Sequence, residues 1–520
     1  MGFELTRSAQ IGMITVFALY SALVIGIGLF VRWGSKGSSA SEKVASFFTG
    51  SGNLGPVALG LLLVTNMASS GAMIGGPGLG YGIGFIWSIA VYTGFICTFI
   101  VLGSVGKKMA IMGHRTNAQT VLQLLRHRYD SKAVSLVMGI TSMVFLVPYC
   151  ASQFAGGAKL FAVVSGTGNY YLGLIIFSVV TLLYTISGGI KSLAKVAVVQ
   201  GVIMFVSVIA LFIGTRLYLV DQYGSFQAAM EFVERTNPML FNANVWTPLY
   251  FFGTCLLMSW AMLAMPNSLM TTLTYKKSSA MITAIVIGIV VQGTIQFVMS
   301  GLGPLGYAAN QHLSAYDFVN PYLTATMLPS WMSGLVVAGT AAAIQSTVAG
   351  FLVIIASTIM KDIYKDIIKP SASDTVIVKG NMVCTVVAVV LAFIVACDTS
   401  NPYVQMLVNF AIGGIVSGFM FPALLGVYWR RATAAGAVTS CLGGFVGYIA
   451  AHLLSTGAST KAAYAALTNN AHPVLFGLGI SLILMIVVSM FTKKVRKGIF
   501  EVWFGASYSE KYAHILSSGK

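Results

Sequence analysis

Along this chain apolar residues run in blocks of about 20, separated by short segments that hold most of the charge. Each block is long enough to cross a hydrocarbon core of ~30 Å as a helix. Thirteen such blocks are expected to be spans: 11–31, 54–76, 83–105, 133–161, 170–187, 192–220, 247–266, 279–303, 331–360, 376–397, 403–426, 432–455 and 472–492. The pattern predicts an all-α polytopic membrane protein. The first block is too long and too weakly charged at its start for a cleaved signal peptide, and no small-residue cleavage site follows it. One polar stretch also carries helical periodicity. TNAQTVLQLLRHRYDS, Thr116–Ser131, places apolar residues on one face before a basic end, which predicts an amphipathic helix lying at the membrane interface.

Two of the blocks are interrupted. VTNMASSGAMIGGPGLGYGIGF, Val64–Phe85, follows an apolar run but is rich in glycine, serine and proline. A phosphate-binding loop is a poor reading, because GxGxxG is absent and no strand precedes it. Gly71 and Gly75 form a GxxxG pattern suited to close helix packing. The same residues suit a broken helix, in which unwound backbone groups and the hydroxyls of Thr65, Ser69 and Ser70 become ligands, with Pro77 ending the half-helix. Only the second reading predicts a matching break elsewhere. MSWAMLAMPNSLMTTLTYKK, Met258–Lys277, supplies one at Pro266-Asn267, five spans later. Spans two to six and seven to eleven then form two five-span repeats of opposite orientation. The expected organisation is an extra N-terminal helix (1–50), repeat one (51–220), repeat two (221–426), and two further helices with a cytoplasmic tail (427–520).

The ninth span clusters Gln345, Ser346 and Thr347 after a run of alanines. Such hydroxyls often bond back to their own helix. They equally suit a small hard cation, which needs several oxygens at short range.

Composition fits this picture. Of 520 residues, 57% are hydrophobic and 8% charged, where a soluble chain carries roughly a quarter charged. Thirteen spans with the N-terminus outside leave only Arg7, Lys159, Arg216, Arg235 and Lys461, of 30 basic residues, on the outer side. That bias predicts a multi-pass protein of the cell membrane with a cytoplasmic C-terminus. The net charge of +17 is therefore topological, and basic residues scattered over seven segments exclude nucleic acid as a partner. The six cysteines and six histidines are dispersed, without disulfide or zinc spacing. No GxxxxGK[ST] loop is present, so the chain does not itself hydrolyse ATP. No nucleophile–base constellation suggests an enzyme, and the tail is too short for a sensor domain. The partners expected are a small solute and the lipid bilayer, with no obligatory protein partner evident.

Four stretches, SGAMIGGPGLGYGIGF, YCASQFAGGAKLF, LYTISGGIKSL and AAAIQSTVAGFLVIIASTIMKDIY, resemble the solute:sodium symporters in the same order and register. GGPG, QFAGGAKL and TYKKSSA look most like the pantothenate-permease branch, while YCAS also looks like proline permease. The resemblance implies a leucine-transporter-like core of inverted repeats, with Na+ where spans two and nine cross. Its implied ligands are the carbonyls of Thr65, Ala68 and Ala343 and the hydroxyls of Ser346 and Thr347. Ser69, Ser70 and Gly71 would contact solute, with Tyr149, Trp260, Gln153 and Asn409 lining the cavity. Two positions depart from the family. Its aspartate after GGIKS is Ala197 here, with Lys195 two residues earlier, and its Pro-His with a following arginine is Pro266-Asn267 and then Thr271. The implied activity is sodium-coupled symport of a pantothenate-like carboxylate or an amino acid. A proton-coupled or uncoupled carrier with Lys195 replacing the cation is an alternative, and a transport-like sensor a second.

Overall fold

The structure, a computed structural model, describes residues 7–34, 55–273, 278–399 and 403–505. Among these, all regular structure is helical. In chain order the helices are α1 (Arg7–Gly34), α2 (Pro56–Met67), α3 (Gly76–Ile83), α4 (Phe85–Thr116), α5 (Val121–Tyr129), α6 (Lys132–Val164), α7 (Tyr170–Tyr223) and α8 (Phe226–Thr236). The second half contains α9 (Pro248–Ala264), α10 (Pro266–Thr272), α11 (Ser278–Ile287), α12 (Gly293–Ala309), α13 (Val319–Thr326) and α14 (Ser330–Ser357). After these come α15 (Asp374–Ala396), α16 (Val404–Tyr428), α17 (Ala434–Thr456), α18 (Lys461–Thr468), α19 (Pro473–Phe491) and α20 (Lys497–Phe504). A wider π-type coil, Thr358–Ile368, extends α14.

Ten helices among the described residues are long and apolar enough to cross a membrane, or up to twelve if each of two bent pairs is one span. The expected fifth span corresponds to the shorter apolar stretch Tyr170–Ile186. Its helix does not stop at GGIKS, where a loop was expected, but continues to Tyr223. At 1.5 Å per residue its 54 residues would reach about 80 Å if straight, far beyond one ~30 Å crossing. The side chain of Lys195 lies outside the described residues.

Burial orders the bundle. The apolar windows of α14 and α16 are 83% buried, so these are the central helices; those of α1, α15, α17 and α19 are 33% buried and form the rim. Leu19, Val383, Ile394 and Val446 on that rim point outward, as lipid contact requires. The Thr116–Ser131 segment departs from expectation. Helix α5 buries Val121, Leu122, Leu124, Leu125 and even Arg128 against other helices, so protein rather than lipid covers its apolar face.

Candidate cation and solute site

Both sequence-predicted breaks are present. The first bends the chain by 62° between Pro56–Met67 and Gly71–Ile83, with Ala68 in an extended conformation (ψ 109°). A short π-type coil, Gly71–Gly75, resumes the helix. Pro77 does not end this half-helix, as expected, but lies in the first turn of α3, where its missing N–H costs nothing. The end falls at Gly84, whose φ of 83° favours glycine and whose added Cβ would strike Leu240 O at 2.0 Å. The second break, between Pro248–Ala261 and Pro266–Thr272, bends by 41° at an extended Met265. Asn66 Nδ2 donates to Thr271 Oγ1 at 3.0 Å, so the two interrupted helices touch beside their breaks.

Where α2 ends, α14 crosses it. Ser346 Oγ donates toward Thr65 O and Ala343 O, both at 3.0 Å. Thr347 Oγ1 reaches Thr65 O at 3.2 Å and Ala68 O at 2.7 Å. All five predicted cation residues thus meet at one crossing. The Thr65 hydroxyl does not join them; it turns back to Leu62 O at 3.0 Å, leaving only its carbonyl to face α14. The donor set is five neutral oxygens without nitrogen or sulfur, which fits a hard cation. Among the described residues no group of three or more His, Cys, Asp or Glu side chains could hold a metal. A divalent ion would demand carboxylates, so the oxygens present fit a monovalent one. Ala197 is 1% exposed and packs with Leu62, leaving an apolar contact at that position.

Past the crossing, the break is held by α6. Ser70 N–H donates to Gln153 Oε1 at 2.8 Å, and Ser70 Oγ donates to Ser152 O at 3.0 Å. Gln153 therefore satisfies one of the amides that the break leaves without a helical partner. Tyr149 is within hydrogen-bonding reach of the Ser69 side chain, and its ring packs on Phe351 of α14 with centroids 4.5 Å apart. Ser69, Ser70, Gly71, Tyr149 and Gln153 are thus brought together. Asn409 stands one step away. Gln405, which the sequence reading missed, donates from Nε2 to Asn409 Oδ1 at 2.7 Å. Its own Oε1 lies where a Cβ on Gly71 would meet it at 2.6 Å. That proximity explains a glycine at position 71. The Trp260 ring packs against Phe421 of α16.

Further polar groups absent from the sequence reading sit beyond the half-helix α3. Asn320 Nδ2 donates to Met73 O at 2.5 Å, using a carbonyl of the π-type coil, and lies 3.4 Å from Thr340 Oγ1 on α14. Asp317 Oδ2 accepts from Lys159 Nζ at 2.6 Å and from the Val404 N–H at 2.9 Å. Burial holds this carboxyl above its ordinary range, while Lys159 and the Val404 amide pull it back. The only signals in the sequence were a lysine inside a span and an aspartate in a connecting segment.

The chain is similar over most of its length to known transporters. The chain is 29% identical to the sodium/pantothenate symporter of Escherichia coli (strain K12) over 445 residues, covering 84% of this chain and 90% of that protein. It is 26% identical to the sodium/proline symporter of Staphylococcus aureus (strain bovine RF122 / ET3-1) over 464 residues, covering 85% and 87%. In fold it is similar to a Na+-coupled sialic acid symporter solved in a substrate-bound outward-open state, with TM-score 0.73 and 17% identity across 94% of this chain and 99% of that one. It is also similar to Mhp1, a nucleobase-cation-symport-1 family transporter, with TM-score 0.56 and 12% identity across 89% and 98%. The profile of the Sodium:solute symporter family matches residues 47–444, and with both breaks and the oxygen-lined crossing inside that range the chain belongs to this family of sodium-coupled solute symporters.

Proposed function

We propose that this symporter imports a small polar carboxylate of pantothenate type by alternating access, with one Na+ bound where α2 crosses α14. The observation that carries the reading is the convergence of Thr65, Ala68, Ala343, Ser346 and Thr347 oxygens beside a break whose next residues, Ser69–Gly71, face Tyr149 and Gln405. Na+ held there would supply positive charge next to the half-helix N-terminus, where carboxylates are favoured. Ser346 and Thr347 orient it; Gln153 fixes the break; Tyr149, Gln405 and Asn409 offer neutral hydrogen-bonding groups to the solute's hydroxyls or amide. The likeness to pantothenate symporters at 29% identity supports this solute, and the likeness to proline symporters makes an amino acid the second candidate.

The thermodynamics are sufficient. One charge falling through ~100 mV contributes about 2.3 kcal/mol, and a tenfold Na+ gradient adds about 1.4 kcal/mol. Together they support roughly 500-fold accumulation of a solute without net charge, such as an amino acid; a carboxylate cancels the charge of one Na+ and draws on the ion gradient alone, about tenfold. The paired breaks support two inverted repeats, and the distribution of basic residues supports an outside N-terminus and a cytoplasmic C-terminus. The test is uptake of labelled pantothenate, proline and other monocarboxylates into proteoliposomes under separate Na+ and proton gradients. Pantothenate uptake that requires Na+ is expected. Uptake driven by protons alone, and lost in Lys195→Gln, would replace this reading with proton coupling; absence of any uptake would favour a sensor.

A further inference from the structure

Helix α5 and helix α20 take no part in the site, yet both are anchored to the helices that carry it. One side of α5 grips the π-type extension of α14. Thr120 Oγ1 donates to Asp362 Oδ1 at 2.5 Å, Gln123 Nε2 donates to Asp366 Oδ2 at 2.8 Å, and Arg126 bonds Asp366 O at 3.1 Å. The other side grips the end of α16. Arg128 Nε donates to Gly426 O at 2.5 Å and its Nη2 to Trp429 O at 3.0 Å, while Tyr129 Oη donates to Pro422 O at 2.6 Å. α14 carries Ser346 and Thr347, and α16 carries Gln405 and Asn409, so this nine-residue helix is a yoke across both site-bearing helices.

The yoke is itself held. Trp503 of α20 is 1% exposed, and its Nε1 donates to His127 Nδ1 at 3.2 Å. The Arg128 guanidinium lies 5.2 Å from the Tyr129 and Phe504 ring centres and 5.9 Å from that of Trp503. Arg115 Nη1 donates to Val502 O at 2.5 Å, and Arg496 pairs with Asp130. A guanidinium enclosed by rings and bonded to two backbone carbonyls has little rotamer freedom, so seating α20 stiffens the residue that ties α5 to α16.

We propose that α20 is an intramolecular brace: seated through Trp503 and Phe504, it locks α5 across the ends of α14 and α16 and restrains their separation at that end of the bundle. Separation there would uncover the cation crossing, so the braced state holds Na+ more tightly. The inference rests on the alternating-access reading for its consequence, but its test needs no solute.

Hydrogen exchange of the purified, detergent-solubilised protein is followed with and without Na+ for wild type, Trp503→Ala, His127→Ala and a chain ending at Arg496. Removing the brace is expected to speed exchange of 121–129, 360–368 and 420–428 together, and to raise the Na+ concentration that half-protects 64–70 by about three- to tenfold. His127→Ala, which removes only the indole hydrogen bond, should give a smaller shift in the same direction. The truncated chain decides the matter if Trp503→Ala misfolds. Unchanged exchange in 121–129, or faster exchange confined to that helix with the Na+ half-point unmoved, would overturn the proposal. Should wild type show no Na+ protection at 64–70, the cation assignment fails, and the brace is decided by whether 360–368 and 420–428 loosen with 121–129.

Discussion

Replacing Thr347 by valine removes one hydroxyl at nearly constant shape, in a side chain with no exposed surface. Thr347 is a cleaner probe than Ser346. Both Thr347 bonds cross to α2, at Thr65 O and Ala68 O, whereas Ser346 also bonds back to Ala343 O in its own helix. A hydrogen-bonding group facing an ion contributes about 1.5–3 kcal/mol. Losing that oxygen should raise the Na+ needed for half-maximal uptake roughly 10- to 150-fold. Uptake at saturating Na+ should change far less, because Ser69–Gly71 and their partners are untouched. Thr347→Ser retains the oxygen and should shift the half-point less than about threefold, within ~0.6 kcal/mol. The assay is initial uptake of labelled solute into proteoliposomes, with choline replacing Na+ at constant ionic strength. A valine variant that keeps the wild-type Na+ half-point but binds solute weakly would show that the hydroxyl only packs α14 against α2, and the cation assignment would fall.

Gln153→Leu strands the buried Ser70 N–H, which should cost about 1–3 kcal/mol; it should lower Tm and raise the solute KM while leaving the Na+ half-point within a few-fold. Gly75→Ala would place a Cβ 2.6 Å from the Gln405 backbone nitrogen, which cannot swing aside. Overpacking of about 1–3 kcal/mol should appear in thermal unfolding, whereas Gly301→Ala, with nothing within 4 Å, should be neutral or stabilising. His472, buried at the start of α19 and accepting from the Val474 N–H at 3.2 Å, has its pKa pushed down to about 3, first by burial and then by His452. The unfolded chain takes up this proton near its ordinary pKa while the folded chain resists, so stability present above about pH 6.5 drains away toward pH 3. Between pH 6.5 and 5.5 the loss from this group should be about 1 kcal/mol; His472→Asn, which keeps a capping acceptor, should abolish that part of the acid dependence in a pH series of melting curves.

The two breaks were legible because glycine, serine and proline inside an apolar run contradict a continuous helix, and that contradiction is local. The cation oxygens were assigned through resemblance, and the crossing of α2 and α14 brings the same residues together. Gln405, Asn320 and Asp317 were not legible. Each is an ordinary residue in its own segment and gains meaning only from a partner far along the chain; Asn320 and Met73 are 247 positions apart. Pro77 was misread because proline stops a helix that precedes it and equally suits the first turn of one that follows. Helix α5 shows a third kind of limit. Its periodicity reveals an apolar face, but lipid and protein make the same demand on such a face, and only the folded chain shows Asp362, Gly426 and Trp503 arriving there.

The proposed cation crossing and the proposed solute groups share three consecutive residues. Ala68 O is bonded by Thr347, Ser69 is reached by Tyr149, and Ser70 N–H is bonded by Gln153. Helical bonds reach this stretch only from its two sides, from Ala68 N–H back to Val64 O and from Met73 N–H to Ser69 O. An ion that draws Thr65 O and Ala68 O toward α14 therefore also sets where Ser69 and Ser70 stand against α6. A solute ordering Ser69–Gly71 does the converse. Coupling of this kind must be reciprocal. If saturating Na+ lowers the solute Kd tenfold, saturating solute must lower the Na+ Kd tenfold, a coupling of about 1.4 kcal/mol. Both factors can be measured by calorimetric titration of the purified protein in the four combinations of ligands. Gln153→Leu removes one of the two bonds that tie Ser70 to α6, leaving Ser70 Oγ on Ser152 O, and should shrink both factors together while leaving Na+ binding in the absence of solute nearly intact. Equal factors that survive the substitution would place the coupling outside Ala68–Ser70, in whole-bundle rearrangement rather than in the break.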